Sequence, residues 1–272
     1  MGWATLAAPI NRPEGSGAIP VRFSFAGSTR VALCTLVAAF GLSVPASRPA
    51  PARASFVLWA WERPEDLRFA GGAVAVAVLA GTITLSGDAS IVRPRLQPLL
   101  VIPAQRLVGT VHVEIDRSYR LAWTPSQRAS AAAAALAMMQ DPRFGELQLD
   151  FEVRASERSV LLELLRDIRA GLGSGRPLSM TALASWCDTE DWLAAAPVDD
   201  VVPMLFRMGA GGAPLVQRLA RGGDFANPRC RRSFGVAVDT TLRAVPPGRR
   251  IFIFDRAPWT PDHLAAMRRS LG

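Results

Sequence analysis

The sequence predicts an α/β fold, a single (β/α)8 barrel of TIM type with an irregular second βα unit. Three observations carry this. After Ser55 the chain shows eight short apolar or β-branched runs, segments with helical spacing lie between several of them, and residues 55–272 are just enough for such a barrel. An open doubly wound sheet is the alternative, since it uses the same alternation of strand and helix.

The first run, "FVLWAW" (56–61), is followed by "AVAVAVL" (73–79) and "LVGTVHVEI" (107–115). Phe69 to Leu85 carries no charge, yet Gly71, Gly72 and Gly81 among alternating valines describe a buried strand better than a membrane span. Pro94, Pro98 and Pro103 leave no room for a regular helix between residues 86 and 107. "TPSQRASAAAAALAMMQ" opens with a Thr cap and a proline, and so starts a helix before the fourth run, "ELQLDFE" (146–152). "SERSVLLELLRDIRAGL" has apolar residues at helical spacing and a glycine near its end. The remaining runs are "LSMTALAS" (178–185), "DVVPMLF" (200–206), "SFGVAVD" (233–239) and "RIFIFD" (250–255), with shorter helices over 189–195, 211–221 and 261–271.

Residues 1–54 read as a signal peptide with an N-terminal extension. "VALCTLVAAFGLSV" (31–44) follows Arg22 and Arg30 and precedes the small-x-small pattern Ala52-Arg53-Ala54. The apolar run is shorter than the roughly 20 residues needed to cross a bilayer, so no stable membrane span is expected after cleavage. The barrel domain then occupies 55–272, in a periplasmic or secreted protein. Export places Cys187 and Cys230 in an oxidising compartment and predicts a disulfide between two loops at one end of the barrel.

The net charge of +8 invites a nucleic-acid reading, but every basic residue is Arg, and the first 54 residues hold five Arg and one Glu, which leaves +4 for the remainder. A nucleic-acid partner is therefore not expected.

Catalytic residues of such barrels sit at the C-terminal ends of strands. Asp150 and Glu152 end the fourth run, on the face opposite Leu147, Leu149 and Phe151. At corresponding ends stand Trp61 and Glu62, Glu114 and Asp116, Trp186, Phe206 and Arg207, Asp239, and Asp255 with Trp259 just beyond. Acids, an arginine and indoles around one mouth describe a carbohydrate site, where carboxylates protonate or attack glycosidic bonds and indoles stack on pyranose rings. A second reading is a catalytically silent carbohydrate-binding or scaffold barrel. A third is a metal-dependent hydrolase using His112, Glu114 and Asp116, but the one other histidine, His263, falls in the last helix, and zinc hydrolases usually draw on two or more. No metal or other cofactor is expected. No G-x-G-x-x-G, P-loop or G-x-S-x-G pattern is present. Oligomeric state is not legible.

Two resemblances follow from these residues. "LQLDFE" resembles the "I-D-I-D-W-E" strand of chitinase-like glycoside hydrolases, which implies Glu152 as proton donor and Asp150 as its helper. "PMLF" and Trp259 echo that family more loosely, and Phe206 stands where it has a tyrosine. The combination "LWAWERPEDL", "LQLDFEVRASER", "SMTALASWC", "PMLFRMG" and "FGVAVD" resembles a bacterial family known as domain of unknown function 3142, which implies an exported barrel and no defined reaction.

Overall fold

The computed structural model describes residues 55–206, 208, 212–240, 246 and 248–271. The expected signal peptide and Arg207 lie outside them. Eight strands match the eight runs: β1 (Ser55–Ala60), β2 (Ala75–Ser86), β3 (Leu107–Ile115), β4 (Phe144–Phe151), β5 (Leu178–Leu183), β6 (Asp200–Met204), β7 (Ser233–Ala237) and β8 (Arg250–Phe254). Each is parallel to its sequence neighbours, and β1 pairs with both β2 and β8. The sheet is closed, which excludes the open doubly wound alternative.

The helices are α1 (Pro125–Ala137), α2 (Arg158–Leu172), α3 (Trp186–Thr189), α4 (Gly212–Ala220) and α5 (Pro261–Leu271). Thr124 caps α1 by accepting the backbone N–H of Gln127 at 3.1 Å, with Pro125 in the first turn. On α2, Val160, Leu161, Leu164, Leu165 and Ile168 form the buried stripe. They share a core with the outward-facing Leu147, Leu149 and Phe151 of β4, each large apolar side chain contributing about 1.5–3 kcal/mol by leaving water.

The second unit has a strand where its helix would be. Ala89–Pro94 returns antiparallel along β2, and Leu99–Leu100 pairs with Glu65–Asp66. A bulge shifts the register of β2 against β3 between Leu79 and Gly81, and β2 runs on to Ser86. A Cβ at Gly81 would stand 2.8 Å from the carbonyl of Arg93, so only glycine permits this approach.

Inside the barrel a separate cluster, Val57, Trp59, Ala75, Ala77, Val108, Val202 and Phe252, fills the middle. Below it lies a charged layer. Arg250 meets Glu146 at 2.8 Å and Asp200 at 3.8 Å, while Ser179 donates to Glu146 at 2.5 Å and Ser233 donates to Asp200. Burial pushes the Asp200 carboxyl above the usual carboxylate range, against the opposing pull of Ser233 and Arg250.

Cys187 and Cys230 are joined, with Cα atoms 5.9 Å apart. The expectation that both cysteines leave one end of the barrel does not hold. Cys187 follows the C-terminal end of β5, whereas Cys230, in the turn Pro228–Cys230, precedes the N-terminal end of β7. The bond belongs to the outer layer, where the backbone N–H of Asn227 also donates to the carbonyl of Cys187 at 2.9 Å. Among the described residues, no helix is long and apolar enough to cross a membrane.

Candidate functional site

The inward face of β4 climbs the barrel axis in steps of two residues. Glu146 belongs to the lower charged layer. Gln148, fully buried, accepts from the indole of Trp59 at 2.8 Å and from Thr110 at 3.2 Å. One step higher is Asp150, and Glu152 stands just past the strand, exposed.

Asp150 is held at both oxygens. Nδ1 of His112 lies 2.8 Å from Oδ2, and Thr181 donates to Oδ1 at 2.6 Å. The contact follows from register, since His112 on β3 is the parallel partner of Asp150 on β4. Burial lowers the proton affinity of His112, but the hydrogen bond and charge of Asp150, aided by Glu114, outweigh burial and the nearby Arg93, and the imidazole is raised above its ordinary value.

These groups open on a cavity of about 670 Å3 at the C-terminal ends of the strands, lined in part by His112, Asp150, Glu152, Thr181 and Asp188. Its walls are aromatic. Phe206 and Phe254 stack at 5.8 Å and 13°, Trp61 meets Phe254 edge-on at 6.4 Å, and the same indole meets His112 edge-on at 5.7 Å. Arg95, from the irregular second unit, places Trp61: its guanidinium donates to the carbonyls of Trp61 and Arg63, the latter at 2.6 Å. A second cavity of about 410 Å3 is lined by His112, Glu114, Arg117, Glu152 and Arg154, so His112 and Glu152 border both.

The other candidates are scattered. Glu114 accepts from Thr84 at 2.8 Å on the second cavity. Glu62 is exposed, 4.0 Å from Arg93, outside the lining of either cavity. Asp116 caps its own turn, held below the usual carboxylate range by the backbone N–H of Ser118 and by Ser86, at 3.0 and 2.9 Å. Trp186 is buried in the outer core edge-on to Trp192 at 5.1 Å. Trp259 is also buried, donating its indole N–H to the carbonyl of Trp59 at 3.0 Å. Asp255 is buried 2.7 Å from His263 and accepts the N–H of Ala257 at 2.9 Å. Asp239 is exposed and lines none of these cavities. Among the described residues, no three His, Cys, Asp or Glu side chains are grouped to hold a metal ion.

Sequence reasoning passed over Thr181, Asp188 and Phe254, and took His112 only as a metal ligand. Phe254 was within reach, because alternation from Arg250 through Phe252 puts it on the inward face. Asp188 stands in the helix after β5, ion-paired with Arg218, and carries no comparable signal.

No family model and no curated protein matches the sequence. Among solved structures, it aligns with the crystal structure of a candidate chitinase A from Streptomyces coelicolor at 12% identity and a TM-score of 0.48, over 79% of this chain and 97% of that one. That likeness is too slight to transfer an activity, and the barrel assignment stands on the strand pairing itself.

Proposed function

We propose that this chain is an exported barrel that binds a cell-envelope or extracellular polysaccharide in its mouth and hydrolyses a glycosidic bond there. One observation carries the reading: Glu152 and the Asp150–His112 pair border the same cavity as Trp61, Phe206 and Phe254. Aromatic faces suit the C–H faces of sugar rings, and a carboxyl beside them suits proton delivery to a leaving oxygen. Glu152 serves as the acid. Asp150, oriented by His112 and Thr181, sets the electrostatics of the floor. The disulfide is consistent with an oxidising compartment.

Glu152→Gln tests the reading, because the amide keeps the shape but has no acidic proton. Turnover should fall by about 10²–10⁴-fold while polysaccharide binding persists. Wild-type turnover in that variant would refute the assignment. A second reading, a silent glycan-binding barrel, is favoured by the exposure of Glu152. It is the outcome if the wild-type protein retains polysaccharide without releasing new reducing ends.

A further inference from the structure

Both oxygens of Asp150 are engaged within the protein. One accepts from Thr181 and the other meets Nδ1 of His112, on adjacent strands of a closed sheet. Beside the substrate-orienting role that the chitinase-like resemblance implies, this geometry gives the aspartate a second one, toward His112. The imidazole, in contrast, keeps Nε2 without a hydrogen-bond partner among the described residues, and its side chain is 30% exposed on the wall shared by the two cavities. We propose that Thr181, Asp150 and His112 form a relay in which Asp150 positions His112 and Nε2 of His112 is the general base of the site, activating water for a single-displacement hydrolysis. The inference rests on the proposed glycan hydrolysis and deepens it.

Nδ1 carries the proton shared with Asp150, so neutral His112 presents a lone pair at Nε2. Water gives a proton to that nitrogen as its oxygen bonds to the anomeric carbon. The glycosidic C–O bond breaks, its electron pair stays on the leaving oxygen, and that oxygen takes the proton of Glu152. Imidazolium and carboxylate then exchange a proton with solvent, which restores both groups. Because water displaces the leaving group directly, the anomeric configuration inverts.

The charged groups around His112 are Asp150 and Glu152 from β4 and its end, Glu114 on its own strand, Arg93 on the antiparallel strand, Arg117 and Arg154 on the second cavity, and Asp188 on the first. Trp61 and Thr181 add uncharged faces. Asp150 favours imidazolium, so the neutral base is lost as pH falls through a value above that of an ordinary histidine. Turnover should show an acidic limb there.

The test uses the disulfide-bonded protein with glycol chitin, carboxymethylcellulose and polygalacturonate as probes. His112→Gln should lower kcat by about 10²–10⁴-fold with little change in KM and erase the acidic limb. Asp150→Asn should move that limb to lower pH, a change that a purely structural role would not produce. Imidazole NMR reads the relay directly, because the chain has two histidines and His263→Gln assigns them. The expected tautomer has the proton on Nδ1, and the first product formed should have the inverted configuration. Hydrolysis by His112→Gln with wild-type kcat and pH profile overturns the relay alone, as does Asp150→Asn that raises KM but leaves kcat and the limb in place. Absence of hydrolysis by the wild type on all three probes overturns the proposed function and the relay with it.

Discussion

Single atoms set the depth of the barrel's middle layer. A Cβ added to Gly235 on β7 would stand 2.6 Å from Cη2 and 2.9 Å from Cζ3 of Trp59, a rigid buried indole whose N–H is tied to Gln148. Gly235→Ala should therefore destabilise the fold by about 1–3 kcal/mol through overpacking. It should appear in urea denaturation as a lower midpoint at unchanged slope. An unchanged midpoint would mean that the ring moves aside freely. The chemistry is equally local, and it was half legible. Alternation along "ELQLDFE" places Asp150 and Glu152 on one face, because successive strand side chains point to opposite sides. It could not indicate that Asp150 is engaged by His112 and Thr181, which depends on the register between three strands far apart in sequence.

The elements were more readable than their contacts. All eight runs became strands, and the prolines of the second unit excluded a helix there, but the antiparallel return of Ala89–Pro94 was not foreseen. That return pairs with residues 81–86 of β2, just beyond the bulge at Leu79 and Gly81, and pairing between strands leaves no mark in the periodicity of either one. Its consequence reaches the site, since Arg95 at its end anchors the Trp61 turn. On the outer layer, the Cys187–Cys230 bond closes a segment with a sequence separation of 43. The chain-entropy model assigns such a loop about 4 kcal/mol. The Cys187→Ala, Cys230→Ala double variant should lose stability of that order, while Trp61, Phe206 and Phe254, the aromatic faces of the mouth, stand outside the bonded helix α3 and should still hold a ligand. Equal thermal stability of the oxidised wild type and the double variant would refute this.

For the molecule as a whole, closure is what turns eight strand ends into one mouth, since β1 pairs with β8 as well as β2. Export is a proposal at this scale. Protein recovered from the culture medium or periplasm should begin near Ser55 by N-terminal sequencing, and recovery of intact residues 31–44 in a membrane fraction would refute it.

From the sequence alone came the order of the eight barrel strands, the helices that became α1, α2, α4 and α5, and the inward phase of β4, together with the pairing of the two cysteines expected after export. These depend on local periodicity, on prolines and caps, and on a count of two thiols, all of which act within or along a short stretch of chain. The helix expected over 189–195 is instead two short turns, Trp186–Thr189 and Trp192–Ala195. Only the tertiary structure decided which polar groups meet. Trp186 and Trp259, which stand at strand ends in the sequence, pack into buried layers, while His112, Thr181 and Phe254 arrive at the mouth. The reason is geometric: barrel closure and strand register bring together residues up to about 200 positions apart, as the Trp59–Trp259 hydrogen bond does, and no pattern within one strand encodes its neighbour's offset.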